Sequence, residues 1–101
     1  MTAFETIQKK VPQTELLALL AEEAVELAHA ALKLRRVYDG TNPTPTPHGV
    51  AYANFKEELA DVGLIVSVLG YVHADPEITR IQQTKLKRWL QRLGEGKEDG
   101  K

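Results

Sequence analysis

The chain has 101 residues, 43% hydrophobic and 27% charged, with a formal net charge of −1, a make-up that fits one modest globular domain. That balance excludes a protein whose main work is coating nucleic acid, which needs a basic excess to displace counterions. The absence of cysteine excludes disulfides, thiolate chemistry and zinc fingers. No apolar run reaches the ~18 residues of a membrane span, and the amino-terminal MTAFETIQKK lacks the apolar core of a secretory signal. The expectation is a soluble cytoplasmic protein with neither a membrane nor a nucleic acid as partner. A core this small leaves little stability to spare, so contacts between subunits would help.

Thr2-Ala3-Phe4-Glu5 spells a capping box, Thr at the N-cap and Glu three residues on, and opens a short helix to about Lys10. Pro12 suits the first turn of a second helix, where its missing N–H costs nothing. From Gln13 to about Val37 the sequence is rich in Leu, Ala and Glu and free of Gly and Pro, which predicts one long helix. Residues 39–49, DGTNPTPTPHG, form an irregular and rather stiff connector, because each Pro holds the residue before it extended. A third helix is expected over residues 50–72. The Val/Ile run and Gly63 would also suit a strand locally, but no other strand candidate exists to pair with it. Asp75-Pro76-Glu77 is an N-cap, first-turn proline and first-turn acid in series, opening a fourth helix to about Leu93. The polar end from Gly94 reads as a disordered tail. The expected fold is all-α, a bundle of four to five helices in one domain over residues 1–93, whose two long helices can run antiparallel.

The acids on the long helices carry the functional signal. Successive residues turn by about 100° around a helix. On the second helix this gathers Leu16, Leu17, Leu20, Ala24, Val25, Leu27, Ala28, Ala31, Leu32 and Leu34 into an apolar arc. Glu22, Glu26, His29 and Lys33 form a stripe opposite, and Glu23 falls at the border. Glu23 and Glu26, three residues apart, can reach one point. On the third helix Glu58 lies within about 40° of Val62, Ile65 and Leu69, and Asp61 about 60° to one side. Asn54 shares that sector, whereas Lys56 is on the far side. Two adjacent carboxylates on an apolar face repel each other and lose hydration. A helix dipole offsets only ~0.3–1 kcal/mol per acid. A hard divalent cation, Mg²⁺ above all, suits the need better, since it takes carboxylate oxygens and shares its site with phosphates. The plain alternative is that such acids are solvated faces or ion pairs, which is the commoner fate of i, i+3 acids on helices.

Read together, E22-E23-x-x-E26-L27-x-x-A30-x-x-K33 and E57-E58-L59-A60-D61-V62 resemble the MazG-like family of all-α nucleoside triphosphate pyrophosphohydrolases, whose mark is EExxE followed by ExxD. The resemblance covers about residues 14–93. It implies Glu23, Glu26, Glu58 and Asp61 as ligands of Mg²⁺, with Mn²⁺ as a substitute, and Glu22 and Glu23 as catalytic groups, Glu22 orienting water or binding a further metal. It further implies Lys33 as a phosphate contact and Lys85 and Arg88 as cations matching the family's K-F-x-R-R-F stretch; Asn54, in the sector of Glu58, is read alongside them as a substrate contact. There the sequence departs from the pattern, with Trp89 in place of the second Arg. The implied activity is hydrolysis of a nucleoside triphosphate between the α and β phosphates, giving the monophosphate and pyrophosphate, in a homodimer or homotetramer. No GxxxxGK[ST] loop is present, so phosphate would be held by metal and side chains.

Two further features bear on this. Glu26-x-x-His29 has the spacing used in di-iron bundles, but such sites need it twice and the third helix offers only Glu-x-x-Asp. Leu86, Trp89, Leu90 and Leu93 have helical spacing suited to core or subunit interface. A non-catalytic helical dimerisation or regulatory module would use the same bundle, and retention of all four expensive acids argues against it.

Overall fold

The computed structural model describes residues 1–42 and 46–95. All its regular structure is helical: α1 (Ala3–Lys10), α2 (Gln13–Asp39), α3 (His48–Leu69), α4 (Tyr71–Ala74) and α5 (Pro76–Arg92). No described helix is long and apolar enough to cross a membrane. The chain divides into two compact units, Met1–Leu69 and the part from Gly70 on. Of the Thr-Pro connector, residues 43–45 lie outside the described residues, as does the polar tail from residue 96.

The helix ends follow local chemistry. The capping box is formed: the Glu5 N–H donates to Thr2 Oγ1 at 3.1 Å, and the Thr2 N–H donates to Glu5 Oε1 at 2.7 Å. Pro12 serves α2 as the N-cap itself, one position earlier than a first-turn proline, and its carbonyl accepts from Glu15 and Leu16. α2 runs two residues past Val37 and stops where Gly40 takes the left-handed conformation, φ 74°, which residues with a Cβ disfavour. α3 starts at His48 and ends at Leu69 rather than 72, because Gly70 is also left-handed, φ 75°, and the next residues form the separate turn α4. α5 begins as expected, with the Asp75 side chain accepting from the Glu77 N–H and Pro76 in the first turn.

In the first unit α2 and α3 run antiparallel. Tyr38 meets His48 at the connected ends, and Glu23 and Glu26 meet Glu58 further along. α1 joins the far end, where Gln8 Nε2 donates to the Val68 carbonyl at 2.8 Å, one of the last-turn carbonyls that α3 cannot satisfy itself. The packed seam is regular. On α2 it comprises Leu16, Leu20, Glu23, Leu27, Ala30, Leu34 and Val37, and on α3 Ala51, Phe55, Glu58, Val62, Ile65 and Leu69, all buried or half-buried. Steps of four and three alternate throughout, the heptad spacing of interlocking helices.

This seam divides the apolar arc expected on α2. Leu17, Val25 and Leu32 are 45%, 55% and 49% exposed, and Ala21, Ala24 and Ala28 beside them are exposed as well. Only Leu16, Leu34, Ala51 and Val68 are buried among the described residues. In the second unit no α5 residue is buried, and Leu86, Trp89, Leu90 and Leu93 are all exposed.

Candidate functional site

The heptad seam explains why the site is where it is. Its positions ordinarily carry Leu, Ile or Val, yet one position on each helix carries a glutamate, and the antiparallel pairing sets the two side by side. Glu23 is thus inside the seam rather than at the border of the apolar arc. Glu26, one turn on and exposed, reaches the same point from the stripe alongside. One carboxylate oxygen from each of Glu23, Glu26 and Glu58 lies within 4.8 Å of the other two.

Two oxygens of this trio are costly. Glu23 Oε2 and Glu58 Oε1 are shielded from solvent and have no hydrogen-bond partner. Loss of hydration pushes the Glu23 carboxyl above the ordinary glutamate value, reinforced by repulsion from Glu26, Asp61 and Glu22 and by the closeness of the Glu26 carboxyl. Glu58 is raised in the same way, by desolvation first and then by Glu26, Asp61, Glu23 and Glu57. Among the described residues no cation pairs with the cluster; the ion pair found there, Arg35 with Asp39 at 3.8 Å, belongs to the end of α2. Without a ligand, the cluster relieves its repulsion by taking up protons.

The expected site residues fall into three groups. Glu23, Glu26 and Glu58 converge. Asp61 is half-buried and close enough to act electrostatically on Glu23 and Glu58, but stands outside the trio. Glu22 is exposed beside Glu23. Lys33 and Asn54 line an open cleft of about 500 Å³ between α2 and α3, with Glu26 and Glu58 at one end. Lys85 and Arg88 lie together on α5, alongside Gln82 and Trp89, in the second unit.

The structure adds two features that the pattern of residues did not disclose. Arg36 lines the same cleft as Lys33; the signal was present, since the stripe Glu22-Glu26-His29-Lys33 continues to Arg36 at the same spacing. The other is an aromatic ladder at the connected ends. Tyr38 Oη and His48 Nε2 are 2.9 Å apart, the His48 ring stacks on Tyr52 with centroids 5.7 Å apart, and Lys56 Nζ sits 4.6 Å from the Tyr52 centroid. Its members come from both sides of the connector, so only the pairing of α2 with α3 assembles it.

The donor set fits a hard divalent cation: oxygens only, from several carboxylates, two of them unpartnered, at the edge of an open cleft with room for water and phosphate. No protein family, curated protein or solved structure matches the chain.

Proposed function

We propose that this protein is a Mg²⁺-dependent nucleoside triphosphate pyrophosphohydrolase of the MazG-like type, hydrolysing its substrate between the α and β phosphates. The observation that supports it most is the pair of glutamates at facing seam positions, each with a shielded and unpartnered oxygen, joined by Glu26 at the mouth of a cleft that also holds Lys33 and Asn54. A bundle held together only by packing would be more stable with Leu at both positions. Glutamates there are accounted for by something they bind.

Glu23, Glu26 and Glu58 would hold the Mg²⁺, with Asp61 adjacent. When bound, the ion neutralises triphosphate charge and polarises the phosphorus under attack. The seam fixes the backbone on both sides of the site, so the carboxylates are positioned before substrate arrives. Glu22, exposed beside them, orients the attacking water and accepts its proton. Lys33 and Asn54 donate to phosphate oxygens along the cleft. The water oxygen bonds to the α-phosphorus, the bond to the bridging oxygen breaks, and the bridging oxygen leaves on pyrophosphate.

The protein acts in this reading as a homodimer or a pair of dimers. The exposed stripe of Leu17, Ala21, Ala24, Val25, Ala28 and Leu32 on α2 supports that, being a second apolar face of one helix that nothing in the described part of the first unit covers. Light scattering tests it, with a monomeric mass as the refuting result. That apolar stripe equally supports the alternative, a non-catalytic dimerisation module. A screen of pyrophosphate release across natural and damaged nucleoside triphosphates with Mg²⁺ separates the two. The enzyme gives release with at least one nucleotide that is lost in Asp61→Asn and Glu58→Gln. Release from none, with no metal effect on melting, favours the module.

A further inference from the structure

We propose that Arg36, together with Lys33, seats the β and γ phosphates of the substrate, so that the cleft fixes the direction in which the triphosphate lies. This rests on the reading given above and deepens it.

The cleft has two ends of opposite sign. Glu26 and Glu58 stand at one, and Lys33 and Arg36 at the other, with Asn54 on the α3 wall one turn from Glu58. Along the axis of α2, Lys33 is ~10 Å and Arg36 ~15 Å beyond Glu26. Neither cation is paired with a carboxylate among the described residues, whereas Arg35, next in the chain, is paired with Asp39.

Arg36 is the informative one. Its side chain is half-buried, while that of Arg35 is 77% exposed. A half-buried guanidinium without a counter-charge is unfavourable, so it marks a place where an anion is missing. A cation in the last turn of a helix is favoured by the dipole, and Arg36 is the basic residue of that turn in α2; the dipole accounts for a cation at this position, but not for its half-buried place on the cleft wall in preference to solvent. Its backbone is also pinned: the N–H groups of Gly40 and Thr41 both donate to the Arg36 carbonyl, the latter at 3.0 Å.

Charge then sets the orientation. The distal phosphates carry most of the negative charge of a nucleoside triphosphate, and the nucleoside carries none. The tail therefore lies toward Lys33 and Arg36, the α phosphate lies at the carboxylates, and the nucleoside leaves the cleft at the carboxylate end. A guanidinium binds phosphate through two parallel N–H donors, which an ammonium cannot do. When the bond from the α-phosphorus to the bridging oxygen breaks, the electron pair stays on that oxygen, and the added charge on pyrophosphate falls beside these two cations.

The test measures binding by calorimetry in Mn²⁺, with inorganic pyrophosphate, inorganic tripolyphosphate and the four nucleoside monophosphates as probes. Circular dichroism confirms that each variant is folded. Arg36→Gln is expected to weaken both inorganic anions at least tenfold and to leave Mn²⁺ affinity within twofold. Arg36→Lys should fall between, and Arg35→Gln, an equal change of net charge outside the cleft, should have no effect. Unchanged anion binding in Arg36→Gln overturns the proposal, as does an equal loss in Arg35→Gln. A loss confined to the nucleoside monophosphates also overturns it, since it would reverse the orientation. Should the wild type bind Mn²⁺ but neither inorganic anion, the pyrophosphohydrolase reading falls as well. Should it bind all three while Arg36→Gln matches it, only the present inference falls.

Discussion

Replacing Glu58 by Gln should change the stability of this protein in opposite directions depending on whether metal is present. Glu58 Oε1 is shielded and unpartnered, and the side chain faces repulsion from Glu26, Asp61, Glu23 and Glu57. The amide keeps the shape, removes those four repulsions at neutral pH and adds two N–H donors beside the remaining carboxylates. In a chelating buffer the variant should therefore melt above the wild type. Metal inverts the order, because the variant has lost a charged ligand from the trio. A wild-type site filled at about 100 times its Kd adds about 2.7 kcal/mol to the folded state, which in a domain of this size raises the melting midpoint by roughly 10–20 °C. If the substitution weakens binding about 100-fold, the same metal concentration only equals the new Kd, and the gain shrinks to about 0.4 kcal/mol, or about 2–3 °C. Differential scanning fluorimetry of both proteins, in EDTA and across a Mn²⁺ series, reads all four conditions. Equal responses to Mn²⁺, or a variant that melts below the wild type in EDTA, would refute the assignment of Glu58 as a repelled, metal-binding carboxylate.

The raised carboxyls of Glu23 and Glu58 make the metal-free protein bind more protons folded than unfolded. Their stabilising contribution is complete below the ordinary glutamate range, about pH 4.3, and is lost as pH rises through the raised values. The metal-free midpoint should thus increase as pH is lowered from 7 toward 5, a slope that Glu23→Gln/Glu58→Gln removes; Mn²⁺ affinity should run the other way, rising with pH as the ligands ionise. Leu34→Ala, at a seam position 7% exposed, should cost about 2–5 kcal/mol by urea denaturation, and a cost below about 1 kcal/mol would mean that the α2–α3 seam is not what holds the first unit together. Gly63→Ala should stabilise by about 0.5–1 kcal/mol, because Gly63 lies inside α3 and an added Cβ would meet nothing within 4 Å; destabilisation would show that this open space is filled in solution.

Much of this protein was legible in residue order because the deciding interactions are local. The Thr2–Glu5 box and the Asp75-Pro76 start each lie within one turn of chain, and the backbone there responds to its immediate neighbours. The placement of Glu58 among Val62, Ile65 and Leu69 was legible too, since all four share one helix and helical geometry relates them without reference to anything else. A wheel could not decide which of two apolar stripes on α2 would meet α3. Leu17, Val25 and Leu32 are as apolar as Leu16, Leu27 and Leu34, yet the first set faces outward and the second is packed. That choice put Glu23 inside the seam, brought it with Glu26 onto Glu58, and left Asp61 beside the trio. It also placed Arg36 and Asn54 on opposite walls of one cleft, and joined Tyr38 to His48 across the connector. Helical periodicity establishes which residues share a face. Which faces meet depends on the free energy of a particular pairing, and that exists only once both helices are in place.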